Sequence, residues 1–461
     1  MHLPSPPCTA RRGFIALASA VVVSALAPPG LAHAAGASPD VRVSATLSHS
    51  KFLRGPDGAL YLQVKIDADR QPRATDRPPL NLALVIDKSG SMRGDRIDAA
   101  RRAALMAIDR LDHRDIVSLI SYSDEARVLI PATRATDKRA LRRTVRRLLA
   151  GGSTAIHDGV TTAARELEKF QDDGRSTRLI LLSDGLANIG PKSPAHFEDL
   201  GRRLSERGMF VSTIGLGTSY NEDLMAGLAR TGEGNHAFVQ EPADLTAFFN
   251  REFDEAIGVA IQDIEIIITL KRGFKPVGTL GREGEITGRK VRFKVGQLVG
   301  GGTQVLLAKI AAPDDDFVGA IDVADVQVSY RRVSDGRTET TRVAVAGEIA
   351  TGAREHTQSV NRDVIADVTV LKARRQRDLA IKLHDQGRLA ESRKAFEASR
   401  GYIRKRQQAY GLEASAELNK AADASAESEA AISSGRREAW KSQRKSLRSL
   451  ESNNAGSLKK Y

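Results

Sequence analysis

The sequence predicts an α/β fold, in which a doubly wound, mostly parallel sheet is flanked by a β-sandwich region and a C-terminal helical segment. The continuous apolar run Leu82–Ile86 has the composition of a strand that is buried on both faces. Between residues 79 and 257, strand-like runs of this kind alternate with amphipathic helical stretches, which is typical of parallel strands joined by helices. On either side of this region apolar residues recur at every second position, as in strands with one buried face.

These changes of periodicity divide the 461 residues into six segments. The two N-terminal strand-like runs and the later β region together supply about seven strands, enough for a sandwich with the α/β domain inserted into it. Two unrelated small β modules would give the same pattern. The predicted segments are an export signal (1–34), N-terminal strands pairing with the later β region (35–78), the α/β domain (79–257), the β-sandwich region (258–350), a helical hairpin (351–412) and a low-complexity basic tail (413–461). The composition of this tail predicts a frayed helix or disorder.

The N-terminus has the pattern of an export signal. Arg11 and Arg12 precede an uncharged apolar run from Phe14 to Ala27, and the small-x-small pattern Ala32-His33-Ala34 follows. The adjacent arginines resemble a twin-arginine motif, although a general secretory signal would also fit. The apolar run is too short to span a membrane, and no later segment is long and apolar enough. We therefore expect a periplasmic or secreted protein without a transmembrane segment in its mature chain.

Composition and charge exclude several classes of function. The only cysteine is Cys8, so the chain can form no internal disulfide, thiolate metal site or cysteine nucleophile. The net charge of +13 favours anionic surroundings, but one Trp and seven Tyr are few for stacking on nucleic-acid bases. We therefore expect no nucleic-acid partner. Basic stretches such as 436–448 predict either a solvated helix face or peripheral contact with an anionic envelope surface.

The residues that carry chemistry follow the predicted strands of the α/β domain. Asp87, Ser89 and Ser91 form a D-x-S-x-S motif directly after the apolar run 82–86. Thr154 ends a Gly-Gly-Ser-Thr loop, and Asp184 follows the apolar run 179–182 in a Leu-Leu-Ser-Asp-Gly sequence. In open α/β sheets the carboxyl ends of the strands form the ligand-binding edge. Carboxylate and hydroxyl oxygens are hard donors, which suit Mg²⁺, Mn²⁺ or Ca²⁺ better than zinc or copper.

The three motifs, taken in this order and spacing, resemble those of a von Willebrand factor type A domain, which has a Rossmann-like fold. The resemblance implies a metal-ion-dependent adhesion site whose ligands would be Asp87, Ser89, Ser91, Thr154 and Asp184. It implies Mg²⁺ as the cofactor, with Mn²⁺ or Ca²⁺ as alternatives. It also implies a protein partner that supplies a carboxylate to an open coordination position. The order of elements more loosely resembles exported bacterial proteins with such a domain and the inter-alpha-trypsin inhibitor heavy chains.

These features predict a non-enzymatic, metal-dependent protein-binding module of the cell envelope, acting in adhesion or as a scaffold. One alternative is an envelope enzyme or enzyme subunit, such as a hydrolase. The sequence has no G-x-S-x-G nucleophile elbow and no evident nucleophile–base pair, which disfavours this alternative. The other alternative is a structural envelope protein in which the metal only stabilises the fold. His157 follows the Thr154 loop, but a lone histidine at a helix start is more often structural than functional.

Overall fold

The computed structural model of the chain describes residues 33–38, 40–54, 60–69, 77–171, 174–314, 319–452 and 459–460. The predicted export signal at 1–34 lies almost wholly outside these residues and stays a prediction. In the described part of the chain, no helix is both long enough and apolar enough to cross a membrane.

The elements follow one another in four groups. The first group is a set of N-terminal strands: β1 (His33–Ser38), β2 (Val41–Leu47), β3 (Lys51–Phe52) and β4 (Leu60–Ala68). The second group alternates strands and helices: β5 (Leu80–Asp87), α1 (Asp95–Arg110), β6 (Ile116–Tyr122), β7 (Ala126–Arg134), α2 (Lys138–Arg146), α3 (Ile156–Glu168), β8 (Ser176–Ser183), α4 (Pro194–Glu206), β9 (Phe210–Leu216), α5 (Glu222–Thr231), β10 (Glu233–Val239) and α6 (Leu245–Ile257).

The third group returns to strands, and the fourth is helical apart from a final short strand. The third group comprises β11 (Val259–Leu270), β12 (Lys275–Leu280), β13 (Glu285–Thr287), β14 (Lys290–Val299), β15 (Thr303–Ala311), β16 (Gly319–Arg332) and β17 (Thr338–Ile349). The fourth comprises α7 (Ala353–Gln358), α8 (Arg362–Asp385), α9 (Leu389–Tyr410), α10 (Ala416–Ser433), α11 (Arg437–Ser452) and β18 (Lys459–Lys460).

The second group forms a doubly wound α/β domain, which confirms the predicted fold class. Its sheet has the strand order β10-β9-β8-β5-β6-β7, and every pairing is parallel except the one between β6 and the edge strand β7. All residues of β5, β6, β8 and β9 are buried, as their continuous apolar runs require for strands covered on both faces. Two separate apolar cores, one on each face of the sheet, hold the helices against it.

The N-terminal strands and the third group build a β-sandwich around this inserted domain. One sheet has the order β1-β2-β4-β15-β12, with β18 also paired to β15, and the other has the order β13-β14-β11-β16-β17-β3. The inward-facing side chains of both sheets share a single apolar core. Strand β4 pairs with β15 although more than two hundred residues separate them in sequence, so the sandwich closes across the inserted domain.

The C-terminal region differs from its sequence-based prediction. The composition of residues 413–461, in which alanine, serine and charged residues dominate, predicts a frayed helix or disorder. Instead, α10 packs against the α8–α9 hairpin through an apolar cluster that includes Leu418 and Ala421. The aromatic ring of Trp440 in α11 stacks at a tilt on His384, with 4.2 Å between ring centroids. Small apolar residues at helical spacing are enough to order α10 because the α8–α9 hairpin provides an apolar surface against which they pack.

Helix α11 also binds the α/β domain directly. Lys445 is buried, donates a hydrogen bond to the Tyr220 carbonyl oxygen at 2.8 Å, and forms an ion pair with Glu222. Its ammonium lies 4.1 Å from the centre of the Tyr220 ring. Ser449 bridges the open edge of β10, because its hydroxyl donates to the His236 carbonyl and accepts from the Phe238 N–H. The basic tail therefore closes an edge of the central sheet.

A buried histidine beneath α11 predicts acid sensitivity. The ring of His236 is fully buried and hydrogen-bonds to Thr213 and Tyr220. Burial, with Lys445 as a second cause, lowers its pKa from 6.5 to about 3. The unfolded chain thus binds a proton more readily than the folded chain between these values, so stability is full above pH 6.5 and falls as the pH decreases.

We expect this histidine alone to remove about 2 kcal/mol of unfolding free energy at pH 5 relative to pH 7.5. Urea denaturation at a series of pH values measures the effect, and His236→Gln is the matched variant because it keeps a hydrogen-bonding side chain that does not titrate. A wild-type pH dependence that His236→Gln fully retains would contradict this assignment.

Candidate functional site

The candidate site lies where β5 and β8, two adjacent parallel strands, end at the same edge of the sheet. The fully buried carboxyl of Asp87 ends β5, and that of Asp184 directly follows β8. A short turn of 3₁₀ helix, Gly90–Met92, then leads from β5 towards α1 and carries Ser91 on its exposed side. The parallel pairing of the two strands thus places these carboxylates at one crevice.

The carboxyl of Asp87 is held by short hydrogen bonds on both oxygens. Its Oδ1 accepts the backbone N–H of Ser89 at 2.8 Å, and its Oδ2 accepts the Ser183 hydroxyl at 2.9 Å. Burial is the main cause that raises the pKa of Asp87 to about 6, and the nearby Asp184 carboxylate also raises it. The ionised form of Asp87 is therefore less stable here than in water, and a nearby cation would stabilise it.

The serine hydroxyls connect the two carboxylates. The Oγ atoms of Ser89 and Ser91 are 3.1 Å apart, and the Ser91 hydroxyl donates to Asp184 Oδ1 at 2.7 Å. Arg96, in the first turn of α1, donates to Asp184 Oδ2 at 2.6 Å. Four of the five predicted ligands thus form one hydrogen-bonded group: Asp87, Ser89, Ser91 and Asp184.

The second loop joins this group through backbone hydrogen bonds. Gly90 N–H donates to the Gly152 carbonyl at 2.9 Å, and Gly151 N–H donates to the Lys88 carbonyl at 2.6 Å. A methyl group on Gly185 would lie 3.4 Å from Thr154 Oγ1 and 3.5 Å from Ser91 Oγ, so both hydroxyls face the same glycine. The fifth predicted ligand, Thr154, therefore lies beside the other four.

The third loop is joined to the second by a reciprocal pair of bonds. Thr154 N–H donates to the Asn188 side-chain oxygen at 2.7 Å, and Asn188 N–H donates to the Thr154 carbonyl at 3.1 Å. The sequence-based prediction missed Asn188, Ser183 and Arg96. Ser183 is adjacent in sequence to the predicted ligand Asp184, which is a signal for a role at the site. The contacts of Asn188 and Arg96 have no such signal, because they join segments that meet only in the folded domain.

Gly152 controls the position of the second loop, because its φ is +93° and a Cβ atom there would lie 2.6 Å from Asp124 Oδ2 and 2.9 Å from Ser123 Cβ. We expect Gly152→Ala to displace Thr154 and to weaken metal binding about tenfold, in line with a strain of 1–3 kcal/mol. Calorimetric titration with Mg²⁺ measures this. Gly151→Ala is the matched control, since nothing lies within 4 Å of its added methyl group and its φ is not positive. Equal metal affinity in the two variants would contradict this role.

The donor set and its charge fit a divalent cation. Ser89 and Ser91 connect the two buried carboxylates. In the described part of the chain the cation paired with them is Arg96, which is one third exposed and binds Asp184. The group thus retains a net negative charge in a buried place, which is unfavourable without a further cation. No three residues among histidine, cysteine, aspartate and glutamate cluster in a metal-binding arrangement within the described residues. A site here would therefore use hydroxyl oxygens as well as carboxylates, a set suited to Mg²⁺.

His157 takes no part in this hydrogen-bonded group. Its ring lies 5.0 Å from that of His196 between centroids, and it packs edge-on against Phe197. Burial, together with the neighbouring His196, lowers the pKa of His157. His157 therefore packs against side chains at the start of α4, next to the start of α3.

Comparison with known families identifies the α/β domain. Residues 81–251 match the family described as the von Willebrand factor type A domain. The match covers the sheet from the second residue of β5, the helices up to the middle of α6, and the loops of the candidate site. The chain therefore contains a von Willebrand factor type A domain, a kind of domain that typically mediates protein interaction.

Among curated proteins, the chain is 28% identical to the uncharacterised protein sll0103 of Synechocystis sp., over 60% of this chain and 67% of that protein. It is 27% identical to the uncharacterised protein YfbK of Escherichia coli, over 44% of this chain and 36% of that protein. It is 29% identical to inter-alpha-trypsin inhibitor heavy chain H3 of Rattus norvegicus, over 48% of this chain and 26% of that protein. The matched region thus spans only about a third or less of the last two relatives.

Solved structures reproduce most of the architecture. A von Willebrand factor type A protein from Catenulispora acidiphila aligns with a TM-score of 0.65 at 16% identity, over 85% of this chain and 91% of that one. The ArnB paralog VWA2 from Sulfolobus acidocaldarius aligns with a TM-score of 0.57 at 16% identity, over 88% of this chain and 98% of that one. At such low identity these likenesses concern the fold alone. They extend beyond the α/β domain to most of the sandwich and helical regions.

Proposed function

We propose that this chain, which contains a von Willebrand factor type A domain, is an exported, non-enzymatic protein-binding module that captures a carboxylate of its partner through a divalent cation. The observation that carries the proposal is the convergence of Asp87, Ser89, Ser91, Thr154 and Asp184 at one sheet edge with an uncompensated negative charge. Mg²⁺ fits this donor set best, with Mn²⁺ or Ca²⁺ as alternatives.

In such a site, some residues of the chain would bind the cation and others would hold those ligands in position. Asp87 and Asp184 would supply negative charge, and Ser89, Ser91 and Thr154 would supply neutral oxygens. Ser183 and the Ser89 N–H hold the Asp87 carboxyl in place, while Arg96 holds Asp184. When bound, the cation would supply an electrophilic position that a carboxylate from another protein can fill. Ser91 is exposed while both carboxylates are buried, so an incoming group would approach from the serine side.

The remaining regions would position this domain in the cell envelope. The N-terminal sequence pattern supports export to the periplasm or to the exterior. Within the described residues, no hydrogen bond or ion pair joins the loops 88–93, 147–155 and 185–193 to the sandwich or the C-terminal helices, which suits a scaffold that presents these loops to a partner. The absence of a nucleophile–base pair in the sequence motifs favours binding over catalysis.

A metal-dependent capture experiment tests the proposal. The purified chain, immobilised and loaded with Mg²⁺, is incubated with protein extract of the source cells, and bound proteins are compared with and without a chelator. We expect a defined set of partners to be retained with Mg²⁺, to be released by the chelator, and to return when Mg²⁺ is restored. Partners that stay bound through chelation, or substrate turnover in a broad hydrolase screen, would argue against the proposed function.

A further inference from the structure

The surface around the candidate metal site combines exposed apolar side chains with positive charge. Three loops lie next to the predicted ligands in the chain and comprise residues 88–93, 147–155 and 185–193. Large hydrophobic side chains are exposed at only nine positions in the described part of the chain, and three of these lie in the loops. They are Leu149, 74% exposed, Leu186, 60% exposed, and Ile189, 37% exposed.

These apolar side chains lie close to the predicted ligands. Leu186 follows Gly185, the glycine that faces both Thr154 and Ser91, and the Ile189 N–H approaches the Thr154 carbonyl at 3.4 Å. Leu149 lines a cleft of 490 Å³ together with Lys88, Gly151 and Gly152. Exposed leucines beside a candidate binding site are typical of a surface that a partner covers.

The charges of these loops all have one sign. Apart from the ligands, the loops contain four charged side chains, Lys88, Arg93, Arg147 and Lys192. None of the four forms an ion pair with another described residue, and three of them are exposed, whereas Lys88 is half-buried in the cleft. The two acidic residues that line the cleft already have partners, because Asp124 accepts the Ser153 N–H and Glu125 pairs with Arg127.

We propose that this loop surface recognises an acidic peptide segment in which the metal-binding aspartate or glutamate is flanked by a large apolar residue and by a second acidic residue. The inference rests on the proposed function, because the central carboxylate would occupy the metal site. The apolar neighbour contacts either Leu186 and Ile189 or Leu149, and the second acid faces the unpaired cations. Metal coordination alone would accept any accessible carboxylate, so these neighbours provide the specificity.

A peptide selection tests the inference with a defined probe. A random library of short peptides with one fixed central aspartate is selected on the Mg²⁺-loaded chain, and a matched library carries asparagine in its place. We expect Mg²⁺-dependent binders only from the aspartate library, enriched in large apolar residues and in a second acidic residue close to the fixed position. Their binding should weaken as salt is added, because the flanking charges lie on the surface.

Variants separate this inference from the proposed function. We expect Leu149→Ser combined with Leu186→Ser to weaken a selected peptide about tenfold while Mg²⁺ affinity is unchanged. Val277→Ser combined with Ile286→Ser is the matched control, since these side chains are similarly exposed on the sandwich. Arg93→Glu with Lys192→Glu should likewise weaken the peptide, whereas Arg404→Glu with Lys405→Glu on the distant α9 should not.

The outcomes are distinguishable. If selected peptides show no apolar or acidic preference, or if the loop variants bind them as the wild type does, the inference is wrong while metal-dependent capture stands. If no peptide binds in an Mg²⁺-dependent manner, the proposed function fails and the inference fails with it.

Discussion

Replacing Asp87 with alanine is expected to remove most of the stabilisation of the folded chain by Mg²⁺. In the wild type, Mg²⁺ at about 100 times its dissociation constant should add roughly 2.7 kcal/mol to the free energy of unfolding, because the ion binds only the folded state. Without Asp87 the site loses one of its two buried carboxylates, while the charge of Asp184 is already matched by Arg96. The remaining hydroxyls are neutral donors, so we expect Mg²⁺ affinity to fall at least about a hundredfold.

Urea denaturation with and without Mg²⁺ measures this effect. Asp87→Asn is a useful second variant, because it retains an oxygen that can accept the Ser89 N–H while removing the charge. Asp95→Ala is the matched control, since its carboxylate is exposed at the start of α1 and is not a predicted ligand. A wild-type chain that Mg²⁺ does not stabilise, or an Asp87→Ala variant that it stabilises equally, would contradict the proposed ligand set.

Replacing Lys445 with alanine is expected to detach α11 from the α/β domain and to destabilise this contact by about 3 kcal/mol. Breaking a buried ion pair by removing one partner typically has an effect of this size, because the other charge stays buried. Here Glu222 is 7% exposed and, among the described residues, would keep Arg444 as its ion-pair partner, while the Tyr220 carbonyl would lose the Lys445 donor. The loss of the ammonium over the Tyr220 ring adds to the effect.

The chain provides its own reporter for this prediction. Trp440 is its only tryptophan, and it is buried in α11 against His384 and Phe396. We expect the fluorescence transition of Trp440 in Lys445→Ala to shift to lower urea concentration than the far-ultraviolet circular dichroism transition. Lys441→Ala is the matched control on the same helix, because this lysine is partly exposed, pairs only with Glu438 and should change stability by no more than about 0.5 kcal/mol. Coincident transitions in Lys445→Ala and the wild type would contradict a structural role for Lys445.

The fold class could be predicted because it depends on local patterns. Runs such as Leu82–Ile86 are apolar at every position, and only a strand covered on both faces accommodates that composition. Asp87 and Asp184 could be placed at the carboxyl edge of the sheet because they end or directly follow buried parallel strands. The full set of five candidate ligands, including Thr154, came from the resemblance to a known family. The motif order then pointed to a von Willebrand factor type A domain, which the family comparison confirms.

The C-terminal helix shows why other features could not be predicted. The basic residues of 436–448 predict a solvated helix face or contact with an anionic surface. A run of basic residues does not indicate which acidic residues, distant in sequence, will pair with it. Lys445 and Glu222 are 223 residues apart in the chain, and their pairing depends on how the helical region lies against the α/β domain. The local pattern of residues indicates which face of a helix is apolar, but it does not indicate which surface the charged residues of that helix will contact.

The sequence by itself thus determined the α/β class, the order of the strands along the chain and the residue types available at the sheet edge, since each of these depends on neighbours within a few positions. The tertiary structure alone decided which side chains meet. It joined Ser183 to Asp87 and Arg96 to Asp184, brought together three loops with basic side chains, two of which also expose large apolar side chains, and placed α11 over the edge of the sheet. The sequence does not show these contacts, because each joins segments that are far apart in the chain. Only the folding of the whole domain brings such segments within hydrogen-bonding distance.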